Sequence, residues 1–131
     1  MLEWLLLMRL GGLHCDPAEL PVDVAAGFVE FETEGFYQNT FEQSVLKSCG
    51  DDRRDVWINS DSLRALYREN YETMVDEKSF LYVRVKGRVS PKGAYGHMGR
   101  YRYCLTAVVV ESHRLIAMDT AYAMNCGRRW R

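Results

Sequence analysis

A glycine-rich segment in the second half of the chain carries aromatic and cationic side chains at close spacing. It runs from Ser90 to Gly99 and leads into Arg100 and Tyr101. Aromatic rings stack on nucleic-acid bases or sugar rings, and neighbouring cations pair with phosphates. A second loop, at positions 35–40, is expected to border the same ligand-binding face as this segment. The candidate ligand-binding residues of the two loops are Tyr37, Asn39, Lys92, Tyr95, His97, Arg100 and Tyr101.

A structural role competes with this binding role. In that interpretation the glycines of the segment meet backbone requirements, and its aromatic rings cover one end of a β-barrel. We favour the structural role and keep the seven residues as candidates.

The cysteines and histidines give little sign of a reactive centre. The four cysteines, Cys15, Cys49, Cys104 and Cys126, show no C-x-x-C or other zinc-type spacing. Cys49 ends one strand-like run and Cys104 lies inside another, so these two are the candidate disulfide pair; reduced core thiols are an equally good interpretation. The three histidines are isolated in the sequence, whereas a metal site needs three or four converging ligands. No metal, no other cofactor and no catalytic residue is therefore expected.

Alternating apolar and charged residues predict where the strands lie. The sequence predicts strands over 28–34, 41–49, 55–59, 81–89 and 101–111, with a short edge strand at 115–118. Ser60 is expected to cap a helix of about four turns that extends to position 75. The stretch 107–110 is so apolar that both of its faces are expected to be buried.

Charge is sorted along the chain in a way that indicates which strands are neighbours. Seven acids and no Lys or Arg occur between Leu10 and Leu46, and seven Lys or Arg and no acid occur between Lys78 and Val110. Opposite charges on facing strands stabilise a pair, and a slip of register would lose them. We predict that strands one and four pair through the outward-facing residues Glu30, Glu32, Glu34, Arg84, Lys86 and Arg88.

The order of the elements predicts the fold class. Three strands, one helix and two strands, in a chain of 131 residues, are typical of a mainly β, OB-fold-like, five-stranded Greek-key barrel with one α-helix between strands 3 and 4. Residues 1–26 are expected to form an irregular or helical leader, 27–118 the barrel and 119–131 a C-terminal tail.

The segment 35–110 resembles a known family. The residues that carry the likeness are Gly35-Phe36-Tyr37, the run from Phe41 through Ser48-Cys49-Gly50 to Trp57, and Val83–Gly87 leading to Tyr95–Tyr101. This pattern is similar to the OB-fold domains of bacterial envelope lipoproteins, such as the C-terminal domain of NlpE-type proteins. The resemblance implies a non-enzymatic binding module of the cell envelope or periplasm, with an unknown protein or small ligand as partner.

The alternative is a cytoplasmic OB-fold that binds single-stranded nucleic acid or an oligosaccharide. A cytoplasmic location is expected if the N-terminus is authentic and unprocessed. Nucleic acid is the less favoured partner, because the net charge of −1 gives no general attraction for phosphates. No transmembrane segment is expected either, since the apolar stretch 4–10 is far shorter than the ~20 residues that span a bilayer.

Overall fold

A computed structural model describes residues 15–40, 43–48 and 55–123 of the chain. The strands are β1 Val29–Asn39, β2 Ser44–Lys47, β3 Asp55–Ile58, β4 Ser79–Val89 and β5 Cys104–Ala117. The helices are α1 Val22–Ala26, α2 Asp61–Glu77 and α3 Met118–Ala123, with short 3-10 turns at Pro17–Glu19 and His97–Gly99.

The five strands form one sheet that closes into a ring in the order β1-β2-β3-β5-β4. The β3–β5 contact is parallel and the other four contacts are antiparallel. The long helix α2 lies between β3 and β4 in the chain, as the sequence predicts. A mainly β chain with five strands and this element order is therefore confirmed.

The sequence predicts that the first strand ends at position 34, just before Gly35, but β1 does not end there. It continues to Asn39, pairing with β4 along its first part and with β2 along its second part. Gly35 allows this change of partner because a Cβ at that position would collide with the carbonyl oxygen of Lys47 and lie 3.1 Å from the Cα of Ser48. The glycine therefore marks a close approach of two strands and not a break.

Strand β5 is longer than predicted and differently buried. The expected edge strand at 115–118 is largely the end of β5, which pairs with the start of β4. Its register against β4 shifts near Ala107, which adopts a left-handed φ of 53°. Ala107 and Val109 face outward and are exposed, and Val108 and Val110 pack towards the core. The prediction that 107–110 is buried on both faces is wrong, because only the inner face of β5 is covered there.

The predicted leader and tail both contribute residues that pack on the ring. Cys15 and Leu20 of the predicted leader belong to a buried cluster with Phe28 and Cys104 on the outside of the sheet. In α3, Ala121 is buried against Phe36 and Ile116 on another part of the outer surface.

The interior of the ring is closed at one end by α2. Leu63 and Met74 of this helix meet the inward-facing residues of β4, Leu81, Val83 and Val85. The helix begins where the sequence predicts, since the Oγ of Ser60 accepts a hydrogen bond of 3.1 Å from the backbone N–H of Leu63.

The predicted pairing of the charged strands is confirmed. In the β1–β4 register, Glu30 faces Arg88, Glu32 faces Lys86 and Glu34 faces Arg84. Two of the cations nevertheless bond to other residues. Arg84 forms a diagonal ion pair of 3.5 Å with Glu32, and Arg88 donates to the backbone oxygen of Phe28 at 3.0 Å. The register therefore brings acidic and basic residues side by side, although the contacts of Arg84 and Arg88 are with residues other than those that face them.

Candidate functional site

The two loops that were expected to form one site lie at opposite ends of the ring. Strands β1 and β4 are antiparallel, with Val29 facing Val89. Asn39 therefore lies eleven residues along β1, about 30 Å of extended strand, from the end where Lys92 follows β4. The structure does not bring the seven candidate residues together, because the antiparallel pairing separates the ends of these two strands.

Tyr37 is a core residue and not a surface one. It is 1 % exposed, and its ring meets Tyr67 of α2 edge-on at a centroid distance of 5.8 Å. Burial raises the pKa of Tyr37. Asn39 is half-buried at the same end, where its backbone N–H bonds to the hydroxyl of Tyr67.

Tyr95 is fully buried on the outside of the sheet. Its hydroxyl donates to the backbone oxygen of Pro91 at 2.9 Å, and its ring packs in the cluster of Cys15, Phe28 and Cys104. It cannot stack on a ligand in this arrangement. The structural interpretation of this segment placed its aromatic rings over one end of the barrel, whereas Tyr95 packs on the outer face of the sheet.

The remaining four candidates all belong to the glycine-rich segment or follow it directly, and each is at least partly exposed. Lys92 and Arg100 are exposed, and His97 and Tyr101 are half-buried. The Tyr101 ring lies 5.4 Å from the ring of Trp57 on β3. Burial raises the pKa of Tyr101, and the charge of Asp55 adds to the rise. The segment therefore folds against the outer face of β3.

Gly96 explains how the segment can lie so close to that face. It has a φ of 72°, which favours glycine, and a Cβ there would overlap the indole ring of Trp57. The glycine-rich pattern noted in the sequence thus reflects packing on an aromatic side chain.

Cys104 is bonded to Cys15, with a Cα–Cα distance of 5.8 Å and a sequence separation of 89. A sulfur atom forms one disulfide only, so the predicted Cys49–Cys104 pair is not the pair formed here, and Cys49 lies outside the described residues. Cys104 faces outward beside Trp57, where residues 15–28 pack. The strand pattern placed Cys104 on β5 but carried no information on which segment covers it.

A cavity of about 370 Å³ opens at the end of the ring opposite α2. Its floor is formed by Leu46 and Val56, which belong to the buried core. Phe31 stands at its rim and remains 40 % exposed. The described residues that line it are Phe31, Thr33, Leu46, Ser48, Val56, Val89 and Tyr103. Alternation along β1 puts Val29, Phe31 and Thr33 on one face of the strand, but it cannot show that the described residues leave this end incompletely filled.

No protein-family model, curated protein or solved structure matches this chain.

Two further grooves lie on the outside of the described structure and differ from the cavity in chemistry. One, of about 560 Å³, follows β1, β4 and β5 and is lined by charged residues including Glu30, Glu32 and Lys86. The other, of about 670 Å³, lies between α2 and the end of β1 beside Tyr67 and Tyr71. Among the described residues, no three His, Cys, Asp or Glu side chains converge as metal ligands would, and none of the described helices has the length and apolar character needed to cross a membrane.

Proposed function

We propose that this chain is an OB-fold and serves as a non-catalytic binding module of the bacterial cell envelope. The fold assignment is supported by the strand order of the ring, by the parallel β3–β5 contact and by the helix between β3 and β4. An OB-fold is a five-stranded Greek-key barrel whose loops and outer strand face bind ligands.

The observation that carries the envelope assignment is the Cys15–Cys104 disulfide. Disulfides form and persist in oxidising compartments and are rare where glutathione keeps thiols reduced. The bond joins the segment that precedes the ring to the first residue of β5, so it is part of how residues 15–28 are held on the sheet. An envelope location agrees with the resemblance to envelope lipoprotein domains.

Cell fractionation with thiol blocking tests the compartment. Cells that make the native protein are lysed in an alkylating reagent, envelope and cytosol are separated, and non-reduced peptides are mapped by mass spectrometry. We expect the chain in the envelope fraction with the peptides of Cys15 and Cys104 linked. A cytosolic chain with both cysteines alkylated would overturn the proposal.

The nucleic-acid alternative now rests on fewer residues. Of its seven candidates, Lys92, His97, Arg100 and Tyr101 are at least partly exposed in and beside the glycine-rich segment. Anisotropy titration of a labelled single-stranded oligonucleotide at low and high salt tests it, with Arg100→Ala as the site variant and the exposed Arg68→Ala on α2 as the control. Salt-sensitive binding that only Arg100→Ala weakens would favour this alternative; no binding at low salt would remove it.

A further inference from the structure

We propose that the cavity at the open end of the ring binds a small, uncharged, mainly apolar molecule. The inference rests on the proposed binding function but does not depend on the compartment. A small β-barrel usually fills its interior with side chains or holds one small ligand, and the residues that the structure describes leave this end of the ring unfilled.

The walls of the cavity combine a buried floor with an exposed apolar rim. Leu46 and Val56 are 1 % and 7 % exposed, whereas Phe31 is 40 % exposed. The register places Phe31 beside Gly87 and Thr33 beside Val85, which is a core residue, so Phe31 and Thr33 share the core-facing side of β1. Phe31 also borders the outer groove along β4. Apolar side chains that face inward and still contact water gain free energy when an apolar ligand covers them.

The lining also selects against charge. Among the described residues, the seven that line the cavity include no Asp, Glu, Lys, Arg or His: four are aliphatic or aromatic hydrocarbons, and Thr33, Ser48 and Tyr103 carry hydroxyl groups. A charged ligand placed there would lose its hydration without gaining an opposite charge, which costs several kcal/mol in a buried site. The hydroxyls suit a ligand with one or two neutral polar atoms, because a few polar groups in an apolar pocket fix its orientation.

The size of the cavity limits the ligand class further. Its volume of about 370 Å³ lies near the lower end of the ~300–1,000 Å³ typical of small-molecule pockets. The space suits a molecule of one to three rings or a short acyl chain. The lining and volume distinguish this site from both outer grooves, where long charged side chains or the α2 surface form the walls.

A pair of matched dyes tests the proposal on the full chain. N-phenyl-1-naphthylamine is neutral, and 8-anilinonaphthalene-1-sulfonate has the same aromatic body with a sulfonate. We expect saturable fluorescence enhancement with the neutral dye at one site per chain, and at least about tenfold weaker binding of the sulfonate.

Two filling variants locate the site. Val89→Phe puts a ring into the cavity and is expected to weaken binding of the neutral dye by at least about tenfold, whereas the same change at Val109, which is 55 % exposed on the outer face, should leave it unchanged. If Val89→Phe fails to fold by circular dichroism, Thr33→Leu serves as the second filling variant.

Three results would overturn the inference. They are the lack of saturable binding of the neutral dye, equal affinity for the two dyes, and an unchanged affinity in a folded filling variant. A chain that carries the Cys15–Cys104 bond in the envelope but binds no dye would refute the cavity proposal alone. A chain that binds the neutral dye but is reduced and cytosolic would refute the compartment alone.

Discussion

The hydroxyl of Tyr37 lies 2.8 Å from the Oγ of Ser44, inside the ring near α2. Ser44 in turn donates to the backbone oxygen of Ile58 at 2.8 Å. Because the single hydroxyl proton of Ser44 is used in that bond, Tyr37 donates to Ser44. This buried chain of hydrogen bonds links β1, β2 and β3 and holds a phenol in the core of the protein.

Replacing Tyr37 by Phe should lower the free energy of unfolding by about 1 kcal/mol, the usual net value of a buried hydrogen bond. The ring and its contact with Tyr67 remain, so the loss reports the hydroxyl alone. Urea denaturation measures the change. Tyr71→Phe is the control, since Tyr71 is 53 % exposed and surface changes usually stay within ~0.5 kcal/mol. Equal effects of the two substitutions would show that the bond to Ser44 adds no stability.

Alkaline pH should destabilise the fold through its tyrosines. Burial raises the pKa of Tyr37, Tyr67, Tyr82 and Tyr101 above the ordinary 10.0. Above pH 10 the unfolded chain therefore releases protons that the folded chain retains, and the free energy of unfolding falls as pH rises. Burial lowers the pKa of Lys47 from 10.5. This shift makes the free energy of unfolding rise with pH, but only up to about pH 10.5, the range in which the four tyrosines start to lower it.

Urea denaturation between pH 8 and 11, followed together with tyrosinate absorbance, measures this effect. We expect stability to decline above pH 10 and part of the tyrosinate signal to appear only on unfolding. In Tyr37→Phe the decline should be shallower than in Tyr71→Phe. A flat stability profile to pH 11, with every tyrosine ionising in the folded state, would contradict the burial of these groups.

The pairing of β1 with β4 was predictable from the sequence because it depends on the local alternation of charged and apolar residues. The three glutamates of β1 and the three cations of β4 each recur at every second position, and a strand must place such residues on one face. The opposite charges of the two strands then indicated that they pair with each other. The same alternation puts Leu81, Val83 and Val85 on the opposite face of β4, which is the face that the structure buries.

Features that depend on contacts distant in sequence were not predictable. Gly35 has the residue type of a strand end, but its role is set by the backbone of Lys47 against it. Tyr95 has the residue type of a ligand-stacking side chain, but residues 15–28 cover it. The pairing of Cys104 with Cys15 likewise depends on the path of that segment over the sheet, which no alternation pattern encodes.

Removing the Cys15–Cys104 bond should reduce stability substantially. The bond closes a loop with a sequence separation of 89 residues, for which loop-closure entropy in the unfolded chain predicts a loss of about 4 kcal/mol. The double variant Cys15→Ala with Cys104→Ala, compared with the oxidised chain by urea denaturation, measures it. Cys49→Ser is the control and should leave the Cys15–Cys104 crosslink in a non-reduced peptide map. A map that links Cys104 to Cys49 would contradict the structure.

The diagonal ion pair between Arg84 and Glu32 should contribute a small, salt-dependent coupling. The two side chains are 57 % and 52 % exposed with 3.5 Å between their charged atoms, so water screens most of their attraction. A double-mutant cycle with Arg84→Gln and Glu32→Gln should give about 0.2–1 kcal/mol at low salt, and less in 1 M salt because the screening length there is only about 3 Å.

Reversing one charge tests the register more strongly than neutralising it. Glu32→Lys would place a cation directly opposite Lys86 and diagonally beside Arg84, so it should cost more stability than Glu32→Gln, and 1 M salt should narrow the difference because it screens both repulsions. Equal costs for Glu32→Lys and Glu32→Gln at low salt would mean that β1 and β4 do not hold these residues opposite one another. The comparison separates register from ion-pair energy, because repulsion between facing cations requires only that the strands be aligned.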